Sequence, residues 1–144
     1  MDYGKWEVRF LRLAREVSKW SKDPRTQVGA VIANKKEIVS IGYNGFPPGM
    51  VDLQSRLKDR EYKHKFVIHA EENAILHAKR DLSGCVIYTW PFAPCTHCTS
   101  IIIKSGISGV VTVKHDKNSL EAKEILKEAG IITLYKEPNS LNND

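Results

Sequence analysis

The chain has 144 residues, of which 42% are hydrophobic and 27% charged, with a formal net charge of +5. That size and balance suit a single globular domain, residues 1–144, around one core, and no apolar run approaches the length of a membrane span. The start, Met1-Asp2-Tyr3-Gly4-Lys5, lacks the basic and apolar regions of a leader, so the expected location is the cytoplasm. Three cysteines, two of them spaced C-x-x-C, form no disulfide framework; in a reducing compartment they favour metal. A basic balance fits nucleic acid, a polyanionic small substrate or a lysine-rich solvated face. The charges are dispersed, so charge alone selects none of these.

Trp6, Phe10, Leu13, Val17 and Trp20 recur at helical spacing and predict an amphipathic first helix with a core-facing stripe. Pro24 breaks that pattern and pushes Asp23 toward extended backbone. Val28–Ala33 and Ile38–Tyr43 read as strands joined by a turn at Asn34–Glu37, an antiparallel hairpin. Residues 44–49 form a Gly/Pro-rich loop, and 51–65 a polar stretch with a short helix inside. Beyond Val67 the order is regular. A helix covers about His69–Lys79, a strand Cys85–Thr89, a helix Cys95 to just before Gly106, and a strand Val110–Val113. Asn118 with Glu121 reads as a capping box for a helix ending at Gly130; the last strand is Ile131–Tyr135, and the tail from about Pro138 is expected to be loose. Alternating strands and helices with apolar strands argue parallel strands covered on both faces, hence an α/β domain.

The chemistry concentrates in His69-Ala70-Glu71 and Pro94-Cys95-Thr96-His97-Cys98. Cysteines at i and i+3 of a helix start can aim both sulfurs at one point, where the helix N-terminus favours thiolate. His69 opens another predicted helix, so two helix starts can converge on one ion. One imidazole and two thiols make three ligands, the number a catalytic zinc keeps, whereas a structural site is closed by four. Cys85 falls in an apolar strand pattern, and His97 is expected to be exposed because the cysteine pair already faces the metal. Zinc lowers the pKa of water to about 7, giving a nucleophile for the amidine-like carbon of an aminopyrimidine or aminopurine. A carboxylate that takes the water's proton and returns it to the base completes the reaction, and Glu71 is the residue of the motif that can do so. The bland alternatives are a structural zinc knuckle or a redox C-x-x-C pair.

With these motifs the chain resembles the zinc-dependent cytidine and deoxycytidylate deaminase superfamily, and the deoxycytidylate (dCMP) deaminases most closely. The resemblance covers nearly the whole chain: Ser21-Lys22-Asp23-Pro24, Val28–Ile32, Gly42-Tyr43-Asn44-Gly45-Phe46-Pro47, the two zinc motifs with Asn73-Ala74-Ile75, and Ser105-Gly106-Ile107. It implies a three-layer α/β/α sandwich around a mixed five-stranded sheet. It implies one Zn2+ per chain on His69, Cys95 and Cys98, with Glu71 as the proton shuttle, and conversion of dCMP to dUMP for thymidylate synthesis. It also implies a homo-oligomer, a hexamer by preference, activated by dCTP and inhibited by dTTP with Mg2+ beside the triphosphate. Asn44 is expected at the sugar, Ala70 and Arg25 at the substrate, and Gly45 and Arg80 at an effector or interface. Nucleic acid is not expected as a partner.

Two departures from the family pattern stand out. The link Trp90-Pro91-Phe92-Ala93-Pro94 is about two residues longer than usual, and 51–65 lacks the cysteine of a second zinc site. Further candidates are Lys22, Lys114, His115 and Lys117 for the phosphate and Trp90 and Phe92 for stacking on the base. His77 lies with Arg80 at the end of the H-x-E helix, and His64 reads as a surface residue. Two readings compete with a dCMP deaminase. One is a zinc deaminase for another base (a modified cytosine nucleotide, a guanine-type base or tRNA adenosine). The other is a non-catalytic zinc-stabilised binder.

Overall fold

The computed structural model describes residues 3–142. Its elements in chain order are α1 (Tyr3–Ser18), β1 (Gly29–Asn34), β2 (Glu37–Tyr43), α2 (Gln54–Lys58), α3 (Arg60–Phe66), α4 (Ala70–Ala78), β3 (Val86–Trp90), α5 (Thr96–Ser105), β4 (Gly109–Val113), α6 (Leu120–Glu128) and β5 (Ile132–Lys136). The strands form one sheet in the order β2-β1-β3-β4-β5. β1 pairs antiparallel with both β2 and β3, while β3, β4 and β5 run parallel, so the sheet is mixed.

Successive strand side chains point to opposite faces, and both faces are covered. Val31, Ala33, Tyr88, Val111 and Val113 meet Phe10, Leu11 and Ala14 of α1 on one side. Ala30, Ile32, Ile87 and Val110 meet Ala70, Ala74, Ile102 and Leu126, from α4, α5 and α6, on the other. The result is the three-layer α/β/α arrangement with its mixed five-stranded sheet.

The differences from expectation have local causes. Trp20 lies beyond the end of α1, is 49% exposed, and meets the Tyr43 ring edge-on at 6.1 Å instead of joining the core. The polar stretch after Val51 holds two helices, α2 and α3, where one was expected. The cap of α6 is Ser119, whose hydroxyl accepts from the Ala122 N–H; the Asn118 side chain is engaged elsewhere, accepting from the Ala93 N–H and donating to the Val113 carbonyl. The tail is not loose as far as it is described. Pro138–Asn142 form a 3-10 helix with Leu141 buried and its carbonyl accepting from Arg12 Nε at 2.7 Å. Asn143 and Asp144 lie outside the described residues. No described helix is long and apolar enough to cross a membrane.

Two contacts position the elements that carry the chemistry. The first is at Gly42 in β2, where any Cβ would run into the backbone of α4 at Ala70 and Ala74. The Ser40 hydroxyl donates to the Ala74 carbonyl at 2.7 Å beside it, so helix and sheet meet backbone to backbone. The second is an ion pair between Lys63 of α3 and Asp23 in the loop after α1, at 2.9 Å with both side chains nearly buried. Burial pushes the Asp23 carboxyl up, but the Arg25 and Thr26 N–H groups and the Lys63 ammonium outweigh it and leave the carboxyl below 3.8.

Gly42→Ala is expected to lower stability by about 1–3 kcal/mol, the usual penalty of overpacking, read as a lower midpoint in denaturant unfolding. The Asp23 contribution has a defined pH sense. Its pKa is depressed on folding, so the stabilisation is complete above the ordinary value and is lost as pH falls through the lower folded value. The gap in Tm between wild type and Asp23→Asn should therefore be largest near about pH 6 and shrink in acid below 3.8.

Candidate active site

Each functional side chain sits at the start of a helix packed on the same face of the sheet. His69 is the N-cap of α4, and its N–H donates to Glu72 Oε1 at 3.1 Å, which fixes the first turn. Cys95 is the N-cap of α5, where its sulfur accepts from the Cys98 N–H at 3.4 Å. Gly106 ends α5 in the left-handed conformation (φ 88°), where the sequence reading ends it.

His69 Nδ1 lies 3.2 Å from Cys98 Sγ and 3.5 Å from Cys95 Sγ, and all three donor atoms lie within 4.8 Å of one another. Bond lengths of about 2.3 Å to sulfur and 2.0–2.1 Å to nitrogen in a tetrahedron require a separation near 3.5 Å between nitrogen and sulfur. The donor set therefore fits zinc in both chemistry and spacing. With three protein donors, a bound zinc would keep a fourth position for water.

The electrostatics of the group are those of two thiols crowded around one imidazole. The Cys98 S–H holds Cys95 as a thiolate, assisted by His69 and the Cys98 N–H, at a pKa of about 3. Its bond to the Cys95 sulfur, together with burial, pushes the Cys98 thiol up. The Cys95 sulfur raises His69. Glu71, two residues along α4, is 4% exposed, and burial lifts its carboxyl to about 7. A carboxyl with that pKa can both accept and return a proton near neutrality.

A pocket of about 200 Å³ opens on this group. His69, Ala70, Glu71 and Cys95 line it together with Asp23, Thr26, Val28, Asn44, Lys63, His64, Val67 and Phe92. Asn44 is nearly buried and already bonded: its Oδ1 accepts from the Val28 N–H and its Nδ2 donates to the Thr26 carbonyl, each at 2.8 Å. It faces the pocket as part of a rigid wall. Phe92 is in the lining, held by the Thr89 hydroxyl, which donates to its carbonyl at 2.9 Å. Trp90 packs instead with the α1 core, under the Arg15 guanidinium.

Several candidates lie outside the lining. Arg25 is exposed beside it, and Lys22 and Lys114 are bound in exposed pairs to Asp52 and Glu137. His115 and Lys117 reach the site only through the Phe92 ring, at 5.3 and 5.8 Å. His97 is exposed and its Nε2 lies 3.3 Å from Glu72 Oε2. Cys85 is fully buried in the core. Arg80 is exposed at the end of α4, its Nε donating to the Asp81 carbonyl, and His77 Nδ1 lies 3.3 Å from the Ile41 carbonyl. Gly45 forms an antiparallel bridge with Ile68, one residue before His69.

Sequence reasoning misses Lys63 and Val67, whereas His64 is exposed, as expected, at the edge of the pocket. All three come from the polar stretch before His69, which carries no periodic signal strong enough to orient its side chains.

Comparison with known proteins agrees with this geometry. The model of the cytidine and deoxycytidylate deaminase zinc-binding region matches residues 4–114. An uncharacterized deaminase from the luxG 3′ region of Aliivibrio fischeri is 44% identical over 136 residues, spanning 89% of this chain and 91% of its own. The deoxycytidylate deaminase of Homo sapiens is 36% identical over 145 residues, spanning 94% of this chain and 81% of its own. The apo dCMP deaminase of cyanophage S-TIM5 shares the fold, with a TM-score of 0.75 over 91% of this chain and 97% of that one, at 22% identity. Motif, fold and relatives agree over most of the length, and the chain belongs to the cytidine and deoxycytidylate deaminase family.

Proposed function

We propose that this chain is a zinc-dependent deaminase that converts dCMP and water to dUMP and ammonia. The observation that carries the reading is the convergence of the His69, Cys95 and Cys98 donor atoms at a pocket lined by His69, Cys95 and a buried Glu71. The choice of dCMP is supported by the deoxycytidylate deaminases of human and mouse, both 36% identical over 94% of this chain.

In this reading His69, Cys95 and Cys98 hold zinc. When bound, zinc supplies a nucleophile near neutral pH by lowering the pKa of water to about 7. Glu71 accepts the proton released as oxygen adds to C4 of cytosine, and it delivers a proton to N3. It next takes the remaining proton from the oxygen now bonded to C4 and passes it to the exocyclic nitrogen, so that C4 becomes a carbonyl and the C4–N bond breaks with ammonia as leaving group. Burial keeps this carboxyl away from bulk water, so protons pass between reactants instead of leaking out. Phe92 offers a ring face to the base, and the Ala70 backbone closes the base end. Asn44 has one Nδ2 proton left for the sugar, and Arg25, exposed and next in sequence to the pocket residue Thr26, is assigned the phosphate.

The same proposal includes a homo-oligomer, a hexamer by family resemblance, located in the cytoplasm. It includes dCTP and dTTP as opposing effectors with Mg2+ beside the triphosphate. Gly45 and Arg80 suit an effector or interface role: a Cβ at Gly45 would meet nothing within 4 Å, and Arg80 is exposed.

The test is turnover by zinc-replete protein offered dCMP, deoxycytidine, CMP, guanine and tRNA, with and without dCTP. Preferred release of ammonia from dCMP is expected, and no turnover of dCMP under either condition would overturn the reading. Glu71→Gln should lower kcat roughly a hundred- to ten-thousand-fold while zinc content by atomic absorption stays at one per chain. Cys98→Ser should lose the metal itself.

A further inference from the structure

The segment 54–66 is attached to the body in an unusual way. Its helices α2 and α3 pack chiefly on each other, not on the sheet. Leu57 is buried, and the Tyr62 ring meets Phe46 edge-on at 6.4 Å. Lys22 and Asp52 pair just before it, but Lys22 is 71% exposed there, and a pair that wet contributes little. At the C-terminal end, the Gly45–Ile68 bridge secures the chain only after α3 has ended.

Within α3 the charged tether is Lys63. Its ammonium lies 2.9 Å from Asp23 Oδ2, with the side chains 9% and 2% exposed. The other Asp23 oxygen, Oδ1, accepts from the Arg25 and Thr26 N–H groups, so the carboxylate cannot swing to follow the lysine. Thr26 in turn holds Asn44 through its carbonyl, and the Ser21 hydroxyl donates to the Asn44 carbonyl at 2.9 Å. The pair therefore joins α3 to a loop that is already rigid. Both of its members line the pocket that contains Glu71 and His69, with His64 and Val67 on the same wall.

A buried ion pair adds little net stability over an apolar pair, but it specifies one geometry, because either charge left alone is costly. We propose that Lys63 and Asp23 are positioning residues for the nucleotide: their ion pair holds α3 against the Ser21–Thr26 loop and so keeps one wall of the substrate pocket in place. Neither residue takes part in the chemistry at zinc. The effect falls on substrate affinity, since a pocket whose wall is in place only part of the time binds more weakly by that fraction. The proposal rests on the dCMP reading for the choice of nucleotide alone.

The experiment compares wild type, Lys63→Met, Lys63→Arg and Asp23→Asn as zinc-loaded proteins. Two measurements are made on each: KM and kcat with dCMP, and backbone amide exchange at Arg60–Phe66 without nucleotide. Asp23→Asn retains the oxygen that accepts from the loop amides, so it removes the charge and spares the loop. For Lys63→Met and Asp23→Asn, KM is expected to rise about tenfold with kcat within a few-fold of wild type. Exchange in α3 should accelerate, and Lys63→Arg should restore both readouts. The double variant should be no worse than either single one. An unchanged KM would overturn the proposal, as would a kcat that falls in step with kcat/KM. A raised KM with unchanged exchange in α3 would also overturn it, because Lys63 would then contact the nucleotide without holding a wall. If wild type itself turns over no dCMP, the dCMP reading fails, and the exchange measurement alone decides whether the pair tethers α3.

Discussion

The site depends on how closely a helix can lie on a strand. Gly42 has only hydrogen where other residues carry Cβ, so the backbone of α4 rests directly on β2. Side chains lock that contact on both sides. The Ser40 hydroxyl reaches the Ala74 carbonyl, and Asn73 Nδ2 donates to the Tyr43 carbonyl at 2.8 Å. With α4 fixed in height and direction, its N-cap His69 and its buried Glu71 are fixed as well. The second helix start is set by β3, which lies between β1 and β4 in the middle of the sheet. The link that leaves β3 is held by the Thr89 hydroxyl and by the Asn118 carboxamide, so Cys95 opens α5 at a determined place. Two helix starts meet because both helices are referred to the same rigid sheet.

Bringing these groups together has an electrostatic cost. Two thiols, the Glu71 carboxyl and the neighbouring Glu72 lie close to one imidazole, and as anions they repel one another. The conflict shows in the titration of the groups: Cys98 is pushed up, Cys95 is drawn down, and burial pushes Glu71 up. The partial positive charge at the starts of α4 and α5 helps to the extent of a few tenths of a kcal/mol to about 1 kcal/mol each. A dication is far better matched to two thiolates, and its binding frees Glu71 from competing with them. The same burial that makes the carboxyl reluctant to ionise makes it suited to carry a proton back and forth.

The parts legible in the sequence were those written in neighbouring residues. The i, i+3 cysteines, the His-x-Glu pair, the hairpin and the glycine that stops α5 each depend on spacings of a few positions. The parts that were not legible depend on partners distant in the chain. Asn118 and Ser119 are both good caps, and the choice falls to Ser119 because the Asn118 carboxamide is claimed by Ala93 and Val113. Leu141 looked like part of a loose tail until α1 supplied a surface for it. Asn44 looked like turn chemistry or a sugar ligand, yet its carboxamide bridges Thr26 and Val28 across the pocket wall. Lys63 in a run of charged residues resembles any surface lysine, and only the fold shows that Asp23 is waiting for it.

Those distant pairings share a property that bears on recognition. Asn44, Asp23 and Lys63 all face the pocket with part of their hydrogen-bonding capacity already used by the protein itself. A group held this way has lost its conformational freedom before any ligand arrives, so little entropy remains to be lost on binding. What remains is directional: one amide proton on Asn44. An exposed lysine such as those that pair with Asp52 or Glu137 would have to be ordered by the ligand. The pocket therefore separates its tasks by rigidity. The metal-ligating helix starts supply reactivity, while polar side chains pinned by the loop before β1 supply a wall whose shape exists in advance of the nucleotide.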